Sequence, residues 1–301
     1  MPADTLPPPG TPAPGAAGGS SRRRRASRSW LGTLPLLAFA AVCFGLPVGF
    51  VVYGAFTTDD GGTTHATGSN IATSLGGAYL TSLTGSVELS ALTALLGCVL
   101  GMLIAQAVVA ARRGALRESV LTASGVLANF GGVPLAFAFV ATLGISGVVT
   151  QVAHLDSAGW NLYSFPGLVV IYLYFLVPLM VLVSVPALDG LRPQWREAAH
   201  NAGATTGQFW RHVGLPVLAP TLLGGFVLLF GSAFAAYATA AALVGGSVPL
   251  VTLKIADALS GNVQVGQENV ALALSLDMIV IAGLVMAVYL PLQRRSTRWL
   301  H

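Results

Sequence analysis

The chain has very little charge and almost no lysine. Only 9% of its 301 residues are charged, against about 25% in an ordinary soluble domain. Lys254 is the single lysine, whereas 54% of the residues are hydrophobic. A soluble fold of this length could not keep so much apolar surface from water. The composition therefore excludes a soluble globular protein and predicts an integral membrane protein.

The sequence also lacks the motifs of common enzymes. The phosphate-binding loop G-x-x-x-x-G-K-[ST] is absent, because the glycines that it needs do not precede Lys254. H-E-x-x-H, C-x-x-C and G-x-S-x-G are absent as well. Cys43 and Cys98 lie inside apolar runs, where a cysteine behaves as a small hydrophobic residue. We therefore expect no catalytic residue, no cofactor and no metal site, and any energy from ATP must come from another chain.

Six apolar runs are long enough for the ~20 residues that cross a bilayer core. They cover residues 30–56, 86–111, 123–149, 165–188, 217–246 and 270–293. Pro35 and Pro47 predict local irregularities in the first run. The expected fold class is all-α, a polytopic membrane protein with six transmembrane helices.

Residues 1–28 are rich in Pro, Gly, Ala and Ser and end in a run of arginines. Such a segment cannot bury a core, so we expect a disordered, Arg-rich cytoplasmic tail. A signal peptide is the alternative. The apolar run that follows is too long for a signal core of about 7–15 residues, which favours a retained first transmembrane helix. The membrane domain then extends over residues 29–301.

The basic residues fall almost entirely on one face of this arrangement. By position, 14 of the 15 flank the first span, follow spans two and six, or lie between spans four and five: Arg22 to Arg25, Arg28, Arg112, Arg113, Arg117, Arg192, Arg196, Arg211, Arg294, Arg295 and Arg298. The positive-inside rule makes this face cytoplasmic and places both termini there. The connections 57–85, 150–164 and 247–269 then lie outside, and the last is long enough for a short interfacial helix or a re-entrant turn at about Val251 to Leu259.

Two acids lie within or at the edge of spans. Asp277 lies inside the sixth run, and Glu88 lies at the outer end of the second. A carboxylate at membrane depth costs about 2.5–3.5 kcal/mol, so it should face the bundle interior or a water-filled cavity. One hypothesis is a translocation path for a cationic substrate; the other is a carboxylate that snorkels or pairs with a neighbouring helix. Asn129 and Tyr237 are weaker path candidates, which helix–helix hydrogen bonds would equally explain.

The loop 189–216, between spans four and five, has the features of two short helices. Pro193 suits the first turn of a helix, and Ala198, Ala199 and Ala202 recur with Trp195 on one small-sided face that Gly203 would end. Thr205 to Gln208 fits a capping box. Phe209, Trp210 and Val213 would supply an apolar face, Gly214 could end this second helix, and Pro216 could start span five. The loop is either a docking element or a segment that lies on the lipid interface.

At these residues the chain resembles a known family. The pattern E-A-A, three residues, G, nine residues, a β-branched residue, any residue, L-P is the signature of inner-membrane permeases of binding-protein-dependent ABC importers. Glu197-Ala198-Ala199, Gly203, Val213, Leu215 and Pro216 match every position. The shared transport core would cover residues 83–293. The runs 128–134 and 233–239 look most like the branch that serves polyamines, iron, thiamine and aminophosphonates.

The resemblance implies a type I importer permease in a bacterial inner membrane. Glu197 to Gly203 would then be a coupling helix that inserts into a cleft of a separate ATPase, with Glu197 contacting the ATPase or a neighbouring arginine such as Arg196. The implied partners are ABC ATPase subunits, a second identical or homologous permease, an extracytoplasmic substrate-binding protein and the lipid bilayer, with no nucleic acid. The substrate would be a polyamine or another small cation. The alternatives are an ion-coupled secondary transporter, which should show broken helices near the midplane, a polytopic membrane enzyme or a scaffold.

Overall fold

The structure is a computed structural model that describes residues 33–60, 63–111, 114–157, 159–260 and 267–297. The expected N-terminal tail 1–28 lies outside the described residues. The chain divides into two compact units, one up to Phe50 and one from Val51 onward, which are described separately.

The described part of the first unit is a single helical run with an irregular centre. Helix α1 spans Leu34–Ala40, a π-helical turn spans Ala41–Gly45, and helix α2 spans Leu46–Ala55 and continues into the second unit. Pro35 lies in the first turn of α1, where its missing N–H costs nothing. Pro47 cannot donate to the carbonyl four residues earlier, and a π turn ends at Gly45, two residues before it. The irregularity predicted near Pro47 is therefore present, whereas the one predicted at Pro35 is not.

The second unit is almost entirely helical. Its described elements are the antiparallel strands β1 (Thr57–Asp60) and β2 (Thr63–Ala66), then α3 (Ser69–Ser74), α4 (Gly77–Ala110), α5 (Gly114–Asn129), α6 (Val133–Leu143), α7 (Val148–Val152), α8 (Phe165–Asp189), α9 (Pro193–Asn201), α10 (Thr206–Phe209), α11 (Leu215–Phe234), α12 (Ala238–Val244), α13 (Val251–Leu259) and α14 (Glu268–Thr297). In the described part of the chain, six helical segments are long and apolar enough to cross a membrane. The predicted all-α fold with six spans is confirmed.

Helix α8 lies at the centre of this bundle. It packs along α4 and contacts α5 and α11, and α11 in turn packs on α14. Tyr172, Leu176 and Met180 of α8 are fully buried in the core. Gly101 of α4 lets the two helices approach closely, since a Cβ at that position would lie 2.5 Å from Cβ of Met180.

The third and fifth predicted spans differ from the structure because both are interrupted. The run 123–149 is not one helix: α5 ends at Asn129 and α6 begins at Val133, with Gly132 between them at φ +76°. The run 217–246 is divided between α11 and α12. A glycine reaches positive φ without strain, which lets the chain leave one helix and enter the next.

Two further helices can be compared with the expected boundaries. Helix α4 begins at Gly77, nine residues before the predicted start of the second span at 86. The polar residues at its beginning, Thr81, Ser82 and Thr84, obscured the helix in the sequence, but each of their hydroxyls donates to a carbonyl of its own helix. Helix α13 coincides with the outer helix predicted at Val251 to Leu259.

Candidate functional site

The connection between α8 and α11 carries a short helix with a well-defined end. Helix α9 begins at Pro193, and none of its residues is buried. Gly203 follows it at φ +78°, its N–H donates to the carbonyl of His200, and the N–H of Ala204 donates to that of Ala199. These two bonds form a Schellman motif, which satisfies the last carbonyls of a helix through a left-handed residue. The predicted turn at Gly203 is therefore present.

The two sides of α9 differ in chemistry. Arg196, Glu197 and His200 lie on the side that lines a groove between α9 and the membrane helices. Ala198 and Ala202 lie outside that groove and are exposed, while Ala199 is half-buried. The small side chains at Ala198 and Ala202 are thus accessible to a partner, and the charged ones line the groove.

The second helix of the loop has the capping box that the sequence predicts. The Thr205 hydroxyl accepts from the Gln208 N–H at 3.3 Å, and Gln208 Oε1 accepts from the Thr205 N–H at 2.8 Å. Gly214 does not end this helix, contrary to expectation. Helix α10 passes through a π-helical turn at Trp210–Gly214 directly into α11, which begins at Leu215 with Pro216 in its first turn.

Two aromatic residues hold the loop to the bundle. Phe209 is buried and meets the ring of Trp210 edge to face, with 6.0 Å between centroids. Trp210 packs against a small apolar cluster at this end of α8 and α11, formed by Ala105, Val181, Val185, Leu188 and Leu218. A Cβ at Gly214 would lie 2.5 Å from Cε3 of that indole, so the glycine provides the space for the ring.

A groove of about 1000 Å³ separates α9 from the bundle. The ends of α4 and α8 form its apolar wall, and α9 contributes charged side chains. An ion pair joins Arg117 to Asp189, at the end of α8. The pairing of Glu197 with Arg196 that the resemblance allows is not formed in the structure.

On the other side of the bundle, Asp277 has a partner. The Ser74 hydroxyl donates to its carboxylate at 2.6 Å, so α3 and α14 are joined by a buried serine. Glu88 is exposed and lines a second groove of about 630 Å³ together with hydroxyls of its own helix and polar groups from other parts of the chain: Thr81, Thr84, Asn161, Ser164 and Ser247. The structure therefore separates the two acids: one is tied to a neighbouring helix, and the other faces an open polar groove.

Asn129 and Tyr237 flank the two helix interruptions and are both exposed. The Asn129 amide donates to the Gly125 carbonyl of its own helix. The interruptions meet at Thr239, whose hydroxyl accepts from the Gly132 N–H at 2.9 Å and donates to the Gly132 carbonyl. Sequence reasoning missed Thr239 and Ser74, since hydroxyls are common in this chain and nothing local marks these two.

The fold defines a polytopic α-helical membrane protein. Residues 98–298 match the family described as binding-protein-dependent transport system inner membrane component. Because this match covers more than half of the chain, the protein belongs to that family.

Individual relatives match parts of the chain. A molybdenum transport system permease protein, ModB of Mycobacterium tuberculosis, is 28% identical over 212 residues, which cover 68% of this chain and 76% of the relative. The sulfate transport system permease protein CysT of Salmonella typhimurium is 38% identical over 68 residues, 23% of this chain and 24% of CysT. The inner membrane ABC transporter permease protein YdcU of Escherichia coli is 32% identical over 94 residues, 31% of this chain and 30% of YdcU. The chain thus matches less than a third of the length of the latter two.

Solved structures share the fold. A chain of a bacterial ABC transporter involved in the import of the acidic polysaccharide alginate superposes with a TM-score of 0.68 at 19% identity, covering 89% of this chain and 96% of that one. A chain of a bacterial alginate ABC transporter in complex with an alginate pentasaccharide-bound periplasmic protein gives a TM-score of 0.72 at 18% identity, covering 90% and 96%. At this identity the likeness concerns the fold.

Proposed function

We propose that this chain is the membrane permease subunit of an ATP-driven importer and that α9 docks a separate ATPase subunit. The observation that carries the proposal is that the small-residue side of α9 is exposed. A Schellman turn at Gly203 ends this helix, and Gly203 is exposed as well. Alanine side chains at Ala198 and Ala202 let a partner approach the helix backbone closely. The family supports the same proposal, since its members are the inner membrane components of binding-protein-dependent transport systems.

The partners follow from the same assignment. ATP would be hydrolysed by two ABC ATPase subunits, identical or homologous, because this chain carries no phosphate-binding loop. A second permease subunit would complete the path through the membrane. An extracytoplasmic binding protein would deliver the substrate, and one of the solved structures with this fold is a complex with a periplasmic protein. Both termini and α9 would face the cytoplasm of a bacterial cell.

A bulky side chain on the small-residue side of α9 tests whether this helix docks the ATPase. Ala198→Trp places an indole where close approach is needed, whereas Arg211→Trp places the same side chain at an exposed position outside α9. We expect the first variant to lose copurification with the ATPase and substrate-stimulated ATP hydrolysis in proteoliposomes by at least tenfold. The second should keep both. Normal coupling in Ala198→Trp, with the variant inserted at wild-type level, would contradict the proposal.

The outer groove supports a small cation, such as a polyamine, as the substrate. Among the described residues that line it, only Glu88 carries a formal charge, and the surrounding hydroxyls and the Asn161 amide can accept hydrogen bonds from an ammonium group. Asp277, Asn129 and Tyr237 would belong to the same path. ModB and CysT carry names of transport systems for anions, so the proposal concerns the residues of this chain and the branch that its runs 128–134 and 233–239 resemble.

Neutralising the groove tests this assignment. Glu88→Gln removes the charge at nearly constant shape, and Glu268→Gln removes an exposed acid from the first turn of α14. In proteoliposomes with the ATPase and the binding protein, we expect only Glu88→Gln to lower putrescine or spermidine uptake, about tenfold. If the wild type takes up sulfate or molybdate but neither amine, the substrate is an anion and the assignment of a cation is wrong.

One observation favours a second candidate, an ion-coupled secondary transporter. Such proteins use interrupted helices, and α5/α6 and α11/α12 are interrupted here. The same reconstitution separates the two mechanisms. An ion gradient that drives uptake without ATPase and ATP would support the secondary transporter and reject the importer.

A further inference from the structure

The groove behind α9 has a lining that the docking proposal leaves unused. It is bounded by the ends of α4 and α8, by α9 and by the start of the α10–α11 run. Its charged and titratable groups are Arg192, Arg196, Glu197 and His200. Two arginines stand against one carboxylate, so the lining carries a net positive charge and attracts an anion.

The two arginines are available to a ligand. Neither Arg192 nor Arg196 forms an ion pair in the described part of the chain, and both are exposed. A guanidinium is a planar donor whose paired N–H groups match two oxygens of a phosphate. Residues 192 and 196 are four apart, one at the N-cap of α9 and one a turn later, so both can reach a single group in the groove.

The rest of the lining is mainly apolar and aromatic, and the amides of Gln106 and Asn201 are its remaining polar groups. Val109, Ala110, Leu188 and Leu191 form one wall, and the indole of Trp210 is half-buried beside them. Tryptophan and arginine at the ends of transmembrane helices lie at the headgroup level of a bilayer. A free phosphate would leave this apolar wall in contact with water, whereas glycerol and the upper part of an acyl chain would cover it.

We propose that this groove binds the headgroup of an anionic phospholipid, with Arg192 and Arg196 on the phosphodiester and the lipid glycerol against Leu188, Leu191 and Trp210. Basic pockets between transmembrane helices on the cytoplasmic side are sites of this chemistry. The volume of about 1000 Å³ is at the upper end of the ~300–1,000 Å³ of ligand pockets. The bound lipid fills the space behind α9 and holds the docking helix away from the bundle.

Thermal unfolding of the purified full-length chain in detergent tests this site without the ATPase. Added phosphatidylglycerol should raise the unfolding midpoint by about 2–4 °C more than phosphatidylcholine does. The double variant Arg192→Gln/Arg196→Gln should lose this difference. Arg211→Gln removes a charge from the same loop but outside the groove, so it should keep the difference.

Three results would overturn the proposal. The double variant could respond to phosphatidylglycerol as the wild type does, or Arg211→Gln could lose the response equally, which would mean unspecific surface attraction. Glycerol 3-phosphate alone could reproduce the whole shift, which would mean a soluble phosphate ligand. If the double variant does not fold, Ala110→Trp fills the apolar wall instead, and a retained lipid response in that variant would equally reject the site.

Discussion

At the scale of single residues, one glycine explains how the loop stays attached to the membrane helices. Gly214 is buried and faces the indole of Trp210, which packs at this end of α8 and α11. A side chain here would have to displace a ring that is itself fixed between Phe209 and the apolar cluster. The glycine of the motif's V-x-L-P segment therefore has a packing role in this chain, and no turn is needed there.

Gly214→Ala should destabilise the protein. The added methyl group would meet the indole at 2.5 Å, and overpacking of this kind costs about 1–3 kcal/mol. Thermal unfolding in detergent measures the loss. Gly207→Ala is the matched control, because no atom lies within 4 Å of a Cβ there and alanine favours the helix. Equal midpoints for wild type and Gly214→Ala would contradict the packing role.

Several residue positions of the loop follow from the sequence alone. Pro193 and Thr205 act locally, through a missing N–H and a hydroxyl that reaches the third residue of its own helix, so the sequence is sufficient to place them. The direction of Glu197 is not a local property. It depends on where α9 lies against α4 and α8, and the motif gives no information about that packing.

At the scale of elements, the interrupted helices are joined to each other by one side chain. Thr239 is almost fully buried, at 3% exposure, and its hydroxyl bonds both backbone groups of Gly132. An unpaired N–H in an apolar environment is costly, and within a bilayer water cannot replace the missing partner. Thr239 thus stabilises both interruptions at once.

Thr239→Val should weaken this junction. Valine keeps the shape but leaves the Gly132 N–H without its partner, which costs about 1–3 kcal/mol. We expect a lower unfolding midpoint and faster proteolysis between α5 and α6. Thr142→Val is the same change at an exposed threonine whose hydroxyl bonds only its own helix, and it should have little effect. If Thr142→Val lowers the unfolding midpoint as much as Thr239→Val does, the hydrogen bonds to Gly132 are not the cause of the destabilisation.

The interruptions also show where prediction from the sequence stops. The runs 123–149 and 217–246 are mainly apolar and carry no charged residue, and hydropathy measures only whether a segment prefers lipid. Gly131 and Gly132 are compatible with a break in the helix, but glycine is common in transmembrane helices and usually does not break them. The break requires a partner for the freed backbone groups, and that partner, Thr239, lies 107 residues further along the chain.

At the scale of the whole molecule, the number of spans and the sidedness of the loops depend on each other. With the six candidate spans, the positive-inside rule predicts that α9 and both ends of the chain lie on the same side, and this arrangement would gather 14 of the 15 basic residues on one face. Lys254, in α13, would be alone on the other face. Five or seven spans would mix the two groups of loops and remove the asymmetry.

Cysteine labelling tests this topology. In a Cys43→Ala background, with Cys98 buried in the core, Thr206→Cys and Ser260→Cys each introduce one exposed thiol, at the first residue of α10 and just after α13 respectively. A maleimide that cannot cross membranes should label Ser260→Cys in intact spheroplasts, and Thr206→Cys only in inside-out vesicles. The reverse pattern would place α9 and the lipid groove outside the cell, where no ATPase could reach them, so it would reject the importer assignment together with the orientation. The six-span arrangement requires the chain to cross the membrane once between Thr206 and Ser260. Labelling of both thiols from one side would contradict it, because the segment α11–α12 would then have to return to the side on which it began.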